Sequence, residues 1–147
     1  MRLTLIKASL FPDPRQDLGE HQFTYSLLPH EGDWLQGDTV KEAWDLNQPL
    51  TVHFGKADRP EFSLFSLSGD HVMIDAVKKA EDLDAVVLRI HEFAGVRGEI
   101  AISSDLSIDW WQECNLMEIP LGESHIGEPE KILLKPYEIK TLIVAFR

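Results

Sequence analysis

Cysteine, long apolar runs and positive charge are all scarce in this sequence of 147 residues. Cys114 is the single cysteine, so a disulfide within the chain and a zinc site built from several cysteines are both excluded. No stretch reaches the ~20 apolar residues that a membrane helix needs. The apolar run at the N-terminus is interrupted by Thr4, Lys7 and Ser9, which excludes a signal peptide. These absences predict a protein of the reducing cytoplasm.

The balance of charge argues against two classes of partner. Aspartate and glutamate number 25, and lysine and arginine number 14, which gives a formal net charge of −11. Nucleic acids and anionic membranes would repel this excess of carboxylates, so we expect neither as a partner. The hydrophobic fraction of 44% and the charged fraction of 27% indicate a globular chain rather than a disordered one.

An apolar residue at every second position is the recurring pattern along the chain, and this pattern predicts short β-strands. The clearest case covers residues 21–27, where one face would carry His21, Phe23, Tyr25 and Leu27. The other predicted strands cover residues 3–5, 50–54, 62–67, 72–80, 85–92, 99–103, 106–111, 115–119, 131–134 and 138–146. The predicted fold class is therefore all-β, an antiparallel β-sandwich.

One short helix is predicted to begin at Thr39. Thr39 and Glu42 have the spacing of a capping box, and Pro49 ends the segment. Three apolar residues at helical spacing would share one face of it, namely Val40, Ala43 and Trp44. Residues 72–80 also fit a helical stripe, but their β-branched start after a Ser-Gly-Asp turn favours a strand.

Carboxylates are abundant, but their spacing does not select the pair that a glycosidase needs. Those in the early loops are Asp13, Asp17, Glu31 and Asp33, and solvated loop side chains are the simpler interpretation. No nucleophile elbow or glycine-rich phosphate loop occurs in the sequence. We therefore expect no catalytic residue in this chain.

Six histidines are present, but none forms the paired spacing of a metal-binding helix. The nearest group combines His21 and His30 with Asp17 and Glu20, and hydrogen-bonded structural histidines are the commoner explanation. His91 and Glu92 are neighbours on a predicted strand, so their side chains point to opposite faces and a structural role is expected. We expect neither a bound metal nor another cofactor in this chain.

Four tryptophans raise the question of carbohydrate binding, namely Trp34, Trp44, Trp110 and Trp111. Trp44 falls on the apolar face of the predicted helix, and either Trp110 or Trp111 must face inward if that segment is a strand. An exposed Trp111 would offer an aromatic platform for a sugar ring. A free-standing carbohydrate-binding β-sandwich module is therefore an alternative function.

An ordered series of short motifs runs through nearly the whole chain. It begins with Pro12-Asp13-Pro14, Asp17, Gly19, His21, Phe23, Tyr25, Pro29-His30, Gly32 and Trp34. It continues with Leu46-Asn47, residues 76–82, Leu88-Arg89, Cys114-Asn115-Leu116 and residues 138–142. This series resembles the C-terminal region of glycoside hydrolase family 38 α-mannosidases. The chain departs from it at His91, where tyrosine is expected, and over residues 122–130.

The resemblance implies that the chain is an excised C-terminal part of a larger multidomain enzyme. Residues 1–147 would form one β-sandwich region, with a sub-boundary near residues 55–60 as an option. The parent would hydrolyse terminal α-mannosides by a retaining mechanism, in mannose and oligosaccharide metabolism. Its zinc and its nucleophile would belong to a catalytic domain that is absent from this chain, so the chain alone is expected to be inactive.

The same resemblance implies partners and contacts. The parent's own catalytic domain is the expected partner, with a homo-oligomer as a second option, and its absence should leave an apolar surface uncovered. Asp17, His21 and His30 are the residues expected to approach sugar in the full-length enzyme.

Overall fold

The computed structural model describes residues 2–147, which fall into two compact units. One unit ends at Leu50 and the other begins at Thr51. The first contains helix α1 (Thr39–Asn47). Within residues 51–147 the strands are β1 (Ser66–Leu67), β2 (Val72–Lys79), β3 (Val86–Glu92), β4 (Gly98–Ile100), β5 (Ile102–Ser103), β6 (Ile108–Cys114), β7 (His125–Ile126), β8 (Ile132–Leu134) and β9 (Ile139–Phe146). A helix of the length and hydropathy needed to cross a bilayer does not occur among residues 2–147.

A five-stranded antiparallel sheet organises the second unit, in the order β2-β3-β9-β6-β7. Its inner face carries the buried side chains of Leu88, Ile90, Leu142 and Val144. Two small sheets, β1-β5 and β4-β8, contribute further residues to the same core, namely Ile100, Ile102, Ile132 and Leu134. Two layers of antiparallel strands around an aliphatic core make a β-sandwich, so the predicted fold class is confirmed.

The outer face of the five-stranded sheet is apolar at its centre as well. Val87, Ile143 and Ala145 form a second buried cluster there with Cys114. The central strand β9 is therefore buried on both faces, which explains its unbroken run of apolar residues. The adjacent tryptophans divide between the two faces, because Trp111 packs against the inner cluster and Trp110 against the outer one.

Most of the strands predicted for the second unit are confirmed. The predictions over residues 72–80, 85–92 and 138–146 correspond to β2, β3 and β9, and that over 131–134 corresponds to β8. The predicted strand 99–103 is divided into β4 and β5, and 106–111 corresponds to β6, which begins and ends later. Of residues 62–67, only Ser66–Leu67 form a strand.

Four predicted strands are wrong, namely 3–5, 21–27, 50–54 and 115–119. A strand needs a neighbour for its N–H and C=O groups, and among residues 2–147 no segment pairs with the first three. Residues 115–119 form a turn instead. The Asn115 side chain accepts the backbone N–H groups of Met117 and Ile119, and Glu118 has a left-handed φ of 61°.

The first unit consists of α1 and loops. The predicted helix is confirmed, but the capping box is not formed. The backbone N–H of Thr39 already donates to the carbonyl of Trp34, so the Glu42 carboxylate has no free amide to cap. Asp38, with a φ of 49°, occupies the N-cap position instead. No residue among 2–50 is buried.

Candidate functional site

The three residues expected to approach sugar lie on the surface of the first unit. The Nε2 atom of His21 is 3.0 Å from the backbone carbonyl oxygen of Asp17, and its ring stacks on Phe23. The Nδ1 atom of His30 is 3.2 Å from the carbonyl oxygen of Glu31. The structure thus brings His21 to the backbone of Asp17. All three predicted side chains are exposed, so they offer hydrogen-bonding groups without an enclosed site.

A groove of about 290 Å³ opens in the second unit between the five-stranded sheet and β8. The sheet and the turn before β9 contribute Trp111, Glu113, Glu138 and Lys140. The wall formed by β8 and its flanking residues contributes Lys131, Ile132, Leu133 and Lys135. We call this feature the Trp111 groove.

Trp111 is held in the groove from two sides. It packs against the inner core cluster, and its indole stacks on the imidazole of His125 with 4.5 Å between ring centroids. His125 is its partner on the neighbouring strand β7, so strand pairing places the two rings together. The imidazole covers one face of the indole. Trp111 is therefore a fixed part of the groove wall rather than a free surface ring.

An ion pair lies beside Trp111. The Lys140 ammonium donates to both carboxylate oxygens of Glu113, at 2.7 Å each. The Lys140 side chain is only 13% exposed, and that of Glu113 is 36% exposed. This arrangement holds a donor and an acceptor side by side in a partly dry groove.

The pair of Glu113 and Lys140 was not predicted from the sequence, although the sequence carries a signal for it. Glu113 follows Trp111 by two residues, and Lys140 precedes Leu142 by two, so both charges fall on the apolar faces of their strands. Register confirms the placement, because Glu113 lies opposite the fully buried Leu142. Charges at such positions are unusual in a sandwich core.

His91 and Glu92 point to opposite faces of β3 and have separate partners. The Nδ1 atom of His91 lies 2.7 Å from an Asp75 carboxylate oxygen. Glu92 is 1% exposed, and its carboxylate accepts four backbone N–H groups at 2.8–3.1 Å, those of Ala94, Gly95, Val96 and Tyr137. Burial alone would raise the pKa of Glu92, but these four donors outweigh it and hold the pKa below its ordinary value.

Glu118 fixes the turn that follows β6. Its carboxylate accepts the backbone N–H of Glu81 and pairs with the Lys78 ammonium at 2.7 Å. The hydrogen bond between the two side chains lowers the pKa of Glu118 and raises that of Lys78. Cys114 is buried at the base of this turn, and burial raises the pKa of its thiol. A protonated, buried thiol is not a nucleophile at neutral pH.

Comparison with known proteins identifies the domain. The model of the family described as "Glycosyl hydrolases family 38 C-terminal beta sandwich domain" matches residues 71–142. These residues extend from the start of β2 into β9 and include all five of the groove's charged side chains. The chain belongs to glycoside hydrolase family 38, as a C-terminal β-sandwich domain.

The curated relatives of this family 38 domain are much longer proteins. Alpha-mannosidase 2C1 of Mus musculus is 27% identical over 155 residues, covering 100% of this chain and 15% of the relative. Alpha-mannosidase G of Dictyostelium discoideum is 32% identical over 148 residues, with coverages of 95% and 14%. Alpha-mannosidase of Saccharomyces cerevisiae is 27% identical over 171 residues, with coverages of 99% and 16%. The chain thus spans about 15% of the length of the relatives that it matches.

The side chains of this family 38 domain do not fit the zinc that the resemblance implies for its parent. Across residues 2–147, no group of three or more His, Cys, Asp or Glu side chains is close enough together to hold a metal ion. The His91 and Asp75 pair supplies two donors, whereas a zinc site needs three or four protein ligands. We therefore derive no metal-dependent step from this chain.

Proposed function

We propose that this family 38 domain is the non-catalytic C-terminal part of an α-mannosidase whose remaining polypeptide hydrolyses terminal α-mannosides. One observation carries the proposal: relatives named alpha-mannosidase match 95–100% of this chain, while the chain covers only 14–16% of their length. In the parent, zinc and the nucleophile of a retaining mechanism would belong to a catalytic domain outside this chain. The buried, single Cys114 supports a cytoplasmic location.

The first unit supports a role in packing against the rest of the parent. Phe23, Tyr25 and Leu27 are 47%, 70% and 70% exposed, although they alternate as the face of a strand would. Exposed apolar area is unfavourable by roughly 25 cal/mol per Å², and extended backbone needs a neighbour for its hydrogen bonds. The remaining polypeptide would supply both the apolar cover and the neighbouring strand.

The turn after β6 supports the same role. Leu116, Met117 and Ile119 are more than half exposed, yet Asn115 and Glu118 hold the turn rigidly. A contiguous group of exposed apolar side chains of this kind marks a surface that contacts another protein or domain. A second copy of the chain would bring a net charge of −11 against −11, which opposes association. The catalytic domain is therefore the proposed partner, and light scattering over a range of concentrations tests the homo-oligomer.

Hydrolysis by the purified chain tests its non-catalytic role. We expect no release of the aryl group from an aryl α-mannoside, with or without added zinc. Residues 2–147 offer no metal donor set, and the two carboxylates of the Trp111 groove are already engaged, Glu113 by Lys140 and Glu138 by the backbone N–H of Lys135. The matched control is the full-length parent prepared in the same way. If the purified chain shows α-mannosidase activity, and this activity stays with the chain through successive columns, the proposal is contradicted.

A truncated parent tests the supporting role. A parent that ends before this region should lose soluble expression and α-mannosidase activity, and co-expression of this chain should restore part of both. A chain that carries Phe23→Ser, Tyr25→Ser and Leu27→Ser should restore less, because its contact face is polar. A truncated parent as active and as heat-stable as the full-length enzyme would refute the role.

A further inference from the structure

The ion pair in the Trp111 groove is not explained by the stability of the sandwich. Lys140 is largely removed from water and Glu113 partly so, which is unfavourable, and replacing a buried ion pair by apolar residues of similar volume is often neutral or stabilising. The neighbouring inner-face residues Leu142 and Val144 show that aliphatic side chains fill this layer. A fixed charge pair at the margin of an apolar core therefore points to recognition of a polar ligand.

The charges that line the groove nearly cancel, because three lysines face two glutamates, and this near balance favours a neutral ligand. The Glu113 carboxylate is neutralised by Lys140, and the Glu138 carboxylate accepts the backbone N–H of Lys135 at 2.7 Å. Lys131 and Lys135 are exposed, so water and salt screen their charges. A charged ligand would disturb a balanced pair. A hydroxyl group both donates and accepts, so two adjacent hydroxyls match an ammonium and a carboxylate held side by side.

Trp111 adds the apolar component that a sugar ring requires. Sugar rings carry C–H groups as well as hydroxyls, and the part of the indole that lines the groove, away from His125, can contact the C–H groups. The volume of about 290 Å³ is at the lower end for small-molecule sites, which limits the ligand to one or two rings. We propose that the Trp111 groove binds a neutral mono- or disaccharide, with Glu113 and Lys140 contacting adjacent hydroxyls. The choice of mannose as the sugar rests on the proposed function. The binding of a neutral sugar rests on the geometry of the groove alone.

Titration of the isotopically labelled chain with an α-linked mannobiose tests the proposal. The indole N–H signal of Trp111, assigned with Trp111→Phe, should shift saturably in an NMR spectrum. The signal of Trp110, the adjacent residue on the opposite face, should shift much less. No saturable shift of the Trp111 signal up to about 50 mM sugar, well above the millimolar range of weak binding, would overturn the proposal.

Variants at the charge pair separate binding from folding. Glu113→Gln should weaken binding at least about tenfold, because hydrogen bonds to charged groups are the strong ones. Glu113→Gln also leaves Lys140 without its charged partner, which can disturb folding. The second variant therefore removes both charges, as Glu113→Leu combined with Lys140→Met, and it should fold but not bind the sugar. Trp110→Phe is the matched control and should bind like the wild type.

Two further outcomes count against the groove. Unchanged affinity in the double variant would refute the role of the pair. Tighter binding of mannose 6-phosphate than of mannobiose would refute the preference for a neutral ligand. Neither outcome changes the result expected from the hydrolysis and truncation tests of the proposed function, because those tests do not depend on this groove.

Discussion

Glu92 offers the sharpest test of how the sandwich is held together. Its carboxylate joins the loop of residues 93–97 to the turn before β9, because one oxygen accepts from Ala94 and Val96 and the other from Gly95 and Tyr137. Glu92→Gln keeps the shape of the side chain but replaces one acceptor oxygen by an NH₂ group. Two backbone donors would then face another donor inside the protein.

The expected loss follows from the number of unsatisfied groups. Each buried N–H without a partner costs about 1–3 kcal/mol, so two reduce the free energy of unfolding by about 2–6 kcal/mol. A domain of ordinary stability has only about 5–15 kcal/mol in total. Urea denaturation should therefore show a much lower midpoint with an unchanged slope. Glu99→Gln, at an exposed position of β4, is the control.

The dependence on pH provides a second readout of the same group. The folded pKa of Glu92 is below its unfolded value of about 4.3, so its stabilisation is present above that pH and is lost as pH falls through the folded pKa. The difference between wild type and Glu92→Gln should therefore narrow in acid. A Glu92→Gln variant within about 0.5 kcal/mol of wild type at neutral pH would refute the reasoning.

Three further predictions concern the second unit. Gly95→Ala should lower the free energy of unfolding by more than Gly122→Ala, because both glycines have a positive φ but only at Gly95 would a Cβ meet the Tyr137 hydroxyl, at 2.5 Å. Equal losses in urea denaturation would contradict this prediction. Leu142→Ala should lower the free energy of unfolding by about 2–5 kcal/mol, and Leu133→Ala by well under 1 kcal/mol, because Leu142 is fully buried and Leu133 is half-exposed. Similar urea midpoints for the two variants would contradict this prediction. Glu118→Gln should speed labelling of Cys114 by a thiol reagent, because it loosens the turn over the thiol and removes a negative charge that raises the pKa of the thiol. An unchanged labelling rate would refute the anchoring role of Glu118.

The sequence was informative where local pattern and tertiary contact agree. Strands β3 and β9 follow from alternating or continuous β-branched residues that find partners within the chain. The same alternation at Phe23, Tyr25 and Leu27 predicted a strand wrongly, because strand formation depends on a neighbour that these residues do not have here. Pattern alone cannot report whether a partner is present.

Side-chain capture of backbone groups was the second source of error. The Asn115 side chain accepts two backbone N–H groups and so forms a turn where alternation predicted a strand. Glu92 accepts four backbone N–H groups, one of which belongs to the distant Tyr137. Neither bond pattern follows from spacing. The charges at 113 and 140, in contrast, could have been recognised as polar positions on apolar faces.

The length of the native polypeptide tests the central claim most directly. An antibody raised against this chain should capture, from its source cells, a polypeptide of about 1,000 residues, since 155 aligned residues make up 15% of the mouse relative. The captured protein should also hydrolyse an aryl α-mannoside. A captured polypeptide of 147 residues without α-mannosidase activity would contradict the account and favour a free-standing β-sandwich.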